Sequence, residues 1–407
     1  MKKKFIILIM VVFGIVVVWN LSSTFVFVEP SFQVAENPVS EADAPEPVVI
    51  ENDFDTFESD PTIVRFFYHQ LHENEREFYR ILRDGLMAAA PSIRLNTSDL
   101  ELVTNLFERV LWDYPEIFWA TGGANTQIIS RFIGQSYINF MPEYGHLGEA
   151  KEALQLAIDE RVEAFLATVD ETMSDFELVL AVYDYIVLST TYNLMAPDHQ
   201  NIVSVFVHGE SVCAGISKAA QLLLNRLGIF ATYVVGDAFL YEGAAPLPHA
   251  WNLVRLDGEY YHLDVTWGIP SFSEESDMTS QITILYDYFL INDELLKTTH
   301  HIRHGVAIPA ATSLRNNYFV VNGMFFETVD ELELLAALQA SIEADRDSVT
   351  FKFANYQLLE AAQPLLLEEL IFAAAEPRAR ELGLEQIHFR FRPKANLNMM
   401  TVYWVWD

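Results

Sequence analysis

The chain has 407 residues, 51% of them hydrophobic and 13% aromatic, so it can bury a sizeable core and has room for two or three domains. Lys plus Arg is 25 against 57 Asp plus Glu, a formal net charge of -32. That balance excludes a protein that grips nucleic acid through its phosphates, and it disfavours docking of a folded face on anionic lipid. A single cysteine excludes intramolecular disulfides and cysteine-rich zinc or iron–sulfur ligation.

Lys2, Lys3 and Lys4 precede an apolar run from Phe5 to Trp19, which resumes at residues 25–28 after a short polar break. As a helix, residues 5–28 would span about 36 Å, enough for a bilayer core of about 30 Å. Residues 1–28 therefore read as a membrane anchor with the lysines cytoplasmic and the body extracytoplasmic, a cleaved signal peptide being the second reading. Residues 29–61 carry ten acidic residues, five prolines and no basic residue. Like-charge repulsion and missing amide donors make this an extended tether.

Residues 62–150 read as a helical N-terminal domain. Apolar spacing predicts helices over 63–86 and 100–114, Gly122-Gly123 a turn, and residues 130–140 either a strand or a helix. Residues 151–305 hold the chemistry. Helices are expected over 153–169 and 174–188, the second with Ser174 and Glu177 as a capping box. After a loop over 189–208, Ser211 is expected to cap a helix that stops at Gly228. Strands follow over 230–239, 249–256 and 259–267, the last two joined by Asp257-Gly258. Residues 306–407 read as a small α/β unit. It should hold a tight hairpin at Asn322-Gly323, a helix boxed by Thr328 and Glu331, and strands near 349–353, 386–392 and 400–406. No repeat is visible.

Cys213 would lie in the first turn of its helix, where free N–H groups and the dipole favour a thiolate suited to attack on a carbonyl. Gly209 and Gly215 flank it and would let a substrate backbone come close. A two-residue hairpin loop sets a register in which paired numbers sum to 515. Trp251 then faces Asp264 and His249 faces Thr266, so Asp264 is the diagonal neighbour of His249, with Cα atoms about 7–8 Å apart. A slip of one residue would put the two on opposite faces. Against a catalytic set stand the ordinary alternatives of a buried, inert cysteine and a packed histidine.

Three blocks carry a resemblance. They are Gly209-Glu210-Ser211-Val212-Cys213-Ala214-Gly215, then Pro248-His249-Ala250-Trp251-Asn252, then His262-Leu263-Asp264-Val265-Thr266-Trp267. In this order they resemble the transglutaminase-like superfamily, in particular its bacterial extracytoplasmic branch, over about residues 175–295. The resemblance implies an α+β, papain-like core in which a cysteine-bearing helix packs on an antiparallel sheet bearing His and Asp. It implies Cys213 as nucleophile, His249 as general base and then acid, and Asp264 as orienter. Gln200 fits the place of the family's polar oxyanion donor, beside the reading of an ordinary loop glutamine. Ile216 after Gly215, and Gly268-Ile269-Pro270 after Trp267, depart from the family's pattern and leave substrate preference open.

His300 and His304 have the helical spacing of two metal ligands, but Arg303 lies inside the cluster and no acidic residue completes it; a solvated segment is the expectation. Tyr286, Tyr288 and Phe289 are expected in the core. No metal, cofactor or calcium loop is expected. The sequence thus points to an anchored thiol acyl-transfer enzyme acting on amide or peptide bonds of a protein or peptide, as peptidase, deamidase or cross-linker. The other reading is a non-catalytic surface scaffold that keeps the fold. Oligomeric state is left open.

Overall fold

The computed structural model describes residues 32–34, 65–130, 136–170, 172–240, 243–270 and 284–406. The anchor, and the tether apart from residues 32–34, lie outside these. Among the described residues no helix is long and apolar enough to cross a membrane.

The N-terminal part combines helices with a sheet. Strand β1 (Phe32–Val34) pairs parallel with β3 (Ala120–Ile129), which pairs antiparallel with β4 (Tyr137–Tyr144), and β2 (Ile93–Leu95) closes the order β1-β3-β4-β2. The helix expected over 63–86 is two helices, α1 (Phe66–Gln70) and α2 (Glu73–Met87). The break is local: Glu75 takes the His72 N–H at 2.9 Å and starts a new helix, while Leu71 is extended. Helix α3 (Leu100–Asp113) ends in a buried carboxylate, and Asp113 accepts from Phe67 N, Tyr68 N and the Tyr79 hydroxyl at 3.0, 2.9 and 2.6 Å. Gly122-Gly123 is not a chain reversal. It lies inside β3, next to an irregularity between Ala120 and Ala124, with Gly122 at φ +89°.

Helix α4 (Gly148–Leu166) leads to α5 (Asp175–Ser189), whose Ser174–Glu177 capping box forms as expected. Two short strands, β5 (Thr191–Tyr192) and β6 (Glu210–Ser211), pair in parallel around a π-helical turn at Ser204–His208. Helix α6 (Cys213–Arg226) then packs on a sheet of order β10-β7-β8-β9, made of β7 (Ala231–Ala238), β8 (Leu247–Leu256), β9 (Glu259–Leu263) and β10 (His300–Ile302). Helix α7 (Asp293–Leu296) precedes β10. One buried cluster runs from Leu71 of the N-terminal part through α5, α6 and β9 to Leu290, so both parts share a core.

The C-terminal unit has helix α8 (Tyr318–Val321), β11 (Phe325–Phe326), α9 (Glu331–Glu343), β12 (Ser348–Phe353), α10 (Tyr356–Leu365), α11 (Ile371–Leu382), β13 (His388–Lys394) and β14 (Met399–Val405). Its three long strands fall where expected, in the order β11-β12-β14-β13. The expected Asn322-Gly323 hairpin does not form. Asn317 caps α8 through Phe319 N, Gly323 ends that turn at φ +68°, and β11 instead pairs parallel with β12. The cap of α9 is Asp330 rather than Thr328, because the Asp330 carboxylate takes both Leu332 N and Glu333 N. This unit has its own core around Phe351, Leu366 and Val402.

Candidate active site

The hairpin that carries the site is set by its turn. Asp257 and Gly258 both have positive φ, +51° and +84°, the backbone of a tight two-residue hairpin loop. The register runs from Leu256↔Glu259 to Asn252↔Leu263 as the sum of 515 requires. It stops there: β9 ends at Leu263 rather than reaching Trp267. The Asp264 carboxylate accepts from Thr266 N at 3.0 Å and Trp267 N at 3.3 Å and curls the chain into a 3-10 turn at Thr266–Gly268. Thr266 therefore does not face His249. Asp264 does reach it, with Oδ2 at 2.7 Å from His249 Nε2.

Cys213 is the first residue of α6. The cap is Val212 and not Ser211, since pairing with β5 keeps Glu210 and Ser211 extended. The Ser211 hydroxyl is engaged elsewhere, 2.6 Å from Ser204 Oγ and 3.3 Å from His199 O. No side chain caps α6, so its first N–H groups are left around the cysteine without an intrahelical acceptor. The flanking glycines are needed by the chain itself. A Cβ on Gly215 would lie 2.3 Å from Ser211 Oγ and 2.8 Å from the Asn201 carbonyl oxygen, while Gly209 ends the π-turn at φ +68°.

His249 Nε2 is taken by Asp264, which leaves Nδ1 as the ring nitrogen available to the sulfur of Cys213, a neighbour close enough to act on the charge of the imidazole. Burial works against a charged imidazole here. The carboxylate of Asp264, then Cys213, with the hydrogen bond to Asp264, outweigh it and push His249 up to about 10. Burial alone would raise Asp264; the charge and hydrogen bond of His249, with those of His300, hold it well below the usual carboxylate range. Cys213 and His249 are each 4% exposed and Asp264 1%.

Cys213 belongs to a buried cluster with Val212, Ala214, Tyr233, Val235 and Ala250, against which Trp112, Tyr192 and Val306 pack. Trp112 and Val306 also line a cavity of about 290 Å³ crossed by the Arg303–Glu108 ion pair, 3.3 Å. Gln200 is half-buried on the loop that leans on α6, and its carbonyl takes the Lys218 ammonium at 3.1 Å. Burial pushes that lysine down to about 8.

The histidine cluster is not helical. His300 and His301 alternate on β10, His300 buried and His301 exposed, and His304 lies beyond the strand in the cavity wall. His300 joins the site: its Nε2 is 3.1 Å from Asp264 Oδ2. Helical spacing hides this, whereas strand alternation over residues 300–302 separates His300 from His301. Tyr288 and Phe289 are buried as expected, and Tyr286 stacks on Tyr318 at 3.8 Å between centroids.

Residues 164–265 match the family model of the Transglutaminase-like superfamily. No curated protein matches the chain. Among solved structures, the chain is similar to a transglutaminase (TGase) at 19% identity, over 39% of this chain and 46% of that one, with a TM-score of 0.25. It is also similar to a candidate cysteine protease from Cytophaga hutchinsonii at 12% identity, over 48% and 80%, with a TM-score of 0.24. Menin is similar at 14% identity, over 75% and 61%, with a TM-score of 0.23. The chain spans less than half the length of the transglutaminase it matches.

Proposed function

Residues 164–265 form a transglutaminase-like domain, and on that premise we propose that the protein is a thiol acyl-transfer enzyme acting on amide or peptide bonds. The observation that carries the reading is the position of His249, hydrogen-bonded to Asp264 through Nε2 at 2.7 Å and near enough to Cys213 for the two to act on each other's charge. Cys213 Sγ attacks the carbonyl carbon of the substrate. The oxyanion is held by the Cys213 backbone N–H and the Gln200 side-chain amide. His249 gives its Nδ1 proton to the leaving amine, the C–N bond breaks, and a thioester remains. Water or a second amine then attacks the thioester while His249 takes its proton, and the sulfur is released. Asp264 holds the Nε2–H throughout and keeps the ring aimed at the sulfur. Water makes the protein a peptidase or deamidase; an amine makes it a cross-linker. The substrate is a protein or peptide of the cell envelope, approached from the cavity that Trp112 and Val306 share with the sulfur's surroundings. The apolar, lysine-flanked residues 1–28 hold the body outside the cytoplasmic membrane, or direct its secretion.

The test incubates the full chain with a glutamine-containing protein and a labelled primary amine, with Cys213→Ala as control. Label incorporation means transfer, ammonia release alone means deamidation, and chain cleavage means peptidase. No product, with an unreactive Cys213, refutes the reading.

A second reading, a surface scaffold that keeps the fold without turnover, draws on burial: the sulfur and its imidazole are only 4% exposed. Alkylation of Cys213 against pH separates the two. An active thiol reacts well below pH 8.5, the value of a free cysteine, and His249→Ala changes the profile.

A further inference from the structure

Asp264 carries two histidines. Its Oδ2 is 2.7 Å from His249 Nε2 and 3.1 Å from His300 Nε2, and its Oδ1 accepts from the backbone of Thr266 and Trp267. A carboxylate only accepts, so both histidine nitrogens present N–H groups to one oxygen. His300 is 1% exposed, and its Nδ1 stands 2.9 Å from the Thr299 hydroxyl, which can donate to it. Thr299 Oγ1 is in turn 2.9 Å from the Tyr288 hydroxyl. With Nε2 donating to Asp264, a neutral His300 accepts at Nδ1, which requires the single Thr299 proton to turn to the ring and the Tyr288 hydroxyl to donate to Thr299. Burial first, and then the neighbouring charge of His249, press it down to about 4 against the pull of Asp264. Rings fix its plane, with Trp267, Trp251 and Tyr288 centroids at 5.0, 5.2 and 5.3 Å.

We infer that His300 is a positioning residue of the thiol site: its Nε2–H holds the carboxylate of Asp264 in place so that the remaining lone pair meets His249. This rests on the acyl-transfer reading for its use, though not for its geometry. With four donors around it, the carboxylate can neither rotate away from His249 nor take up a proton without breaking one of them. His249, Asp264 and His300 also place ligand atoms within 4.8 Å of one another, as a cation site would. The two histidine nitrogens are at hydrogen-bond distance from the carboxylate, 2.7 and 3.1 Å, and we assign protons to these contacts, which a metal analysis of the purified chain checks. The other titratable groups facing this centre are Cys213, Tyr183 from α5, Tyr192 from β5 and His262 from β9, with Tyr288 ahead of β10.

The test compares His300→Ala with His300→Gln, whose amide keeps an N–H at similar reach, in the full chain. The first readout is the rate of Cys213 alkylation by iodoacetamide against pH, with thermal unfolding as control. Loss of a hydrogen bond to a buried charge should slow the alanine variant roughly ten- to hundredfold at neutral pH and move its acid limb upward, and glutamine should restore most of the rate. Thr299→Val, which leaves Asp264 untouched, should lie between. The second readout is proton NMR, where the wild type should show two downfield imidazole N–H resonances and His300→Gln should lose one. One resonance in the wild type, equal profiles for all variants, equal losses in both His300 variants, or a stoichiometric divalent metal in the purified chain would each overturn the inference. Two resonances with an inert wild-type sulfur would sink the acyl-transfer reading and leave the His300–Asp264 contact standing.

Discussion

Gly236 offers a sharp test of how the site is built, because it sits on β7 between the strands that carry both histidines. Its partners are His249 on β8 and Ile302 on β10. A Cβ there would lie 2.0 Å from the His301 carbonyl oxygen and 2.9 Å from Trp251 Cη2. Ordinary contact begins at 3.4 Å, so in Gly236→Ala the edge strand β10 must retreat by about 1.4 Å. The bonds that flank this point, Arg303 N to Val235 O at 3.0 Å and Phe239 N to Thr299 O at 2.8 Å, would not survive that shift. Two lost backbone bonds at about 1 kcal/mol each, with the strain of overpacking, give a destabilisation on the order of 2–4 kcal/mol. The retreat also carries His300 away from Asp264, so Cys213 alkylation should slow as is expected for His300→Ala. Urea unfolding by tryptophan fluorescence and iodoacetamide kinetics measure the two effects. Gly258→Ala is the control: its Cβ would meet nothing within 4 Å, its φ is +84°, and it should cost about 1 kcal/mol in backbone strain without touching the sulfur. A Gly236→Ala protein with wild-type stability and wild-type alkylation would refute this account.

Gly215→Ala removes a helix-breaking residue, a gain of about 1 kcal/mol, yet it should come out destabilised by about 1–2 kcal/mol in urea. The reason is the Asn201 carbonyl at 2.8 Å, which is backbone and cannot swing aside, and a stabilised variant would show that the loop yields freely. Asp113→Ala orphans three donors that fasten α1 and α2 to α3, and should lose on the order of 3 kcal/mol, against about 1 kcal/mol for Tyr79→Phe; equal losses would contradict this. Lys352 is 1% exposed, its ammonium donates to the Leu397 carbonyl at 2.9 Å, and burial pushes it down to about 7. The unfolded chain therefore binds this proton first as pH falls from 10.5, so the lysine's penalty is absent above that pH and complete by about 7. The stability of the wild type relative to Lys352→Met should rise on the order of 3 kcal/mol between about pH 7 and 9.5, and a flat difference would exclude a buried neutral amine.

Local chemistry made part of the site legible. Asp257-Gly258 imposes one hairpin geometry, so every pair down to Asn252↔Leu263 follows by counting, and Asp264 lands beside His249 even though the ladder has ended. The start of α6 is legible to within two residues. Ser211 is a good cap by type, but its hydroxyl is claimed by Ser204 and His199, partners no local pattern announces. His300 is illegible for the same reason, since its meaning lies in a carboxylate 36 residues away. The glycines misled in both directions. At 122–123 they bend a strand, at 323 one ends a helix where a hairpin was expected, and at 215 the missing side chain makes room for a neighbouring loop. The mixed α+β class and the C-terminal strands were readable because alternation and caps act over a few residues.

The buried cluster that joins α2 and α3 to α5, α6 and β9 has a practical corollary. A shortened polypeptide starting near residue 164 would keep the cysteine, both histidines and the aspartate, yet strip Val103, Phe107 and Val110 off its flank. An oily wall would then meet water, and clumping or chaperone capture should follow before any reaction could be measured. The first hundred described residues act less as a neighbour than as the other half of the same interior.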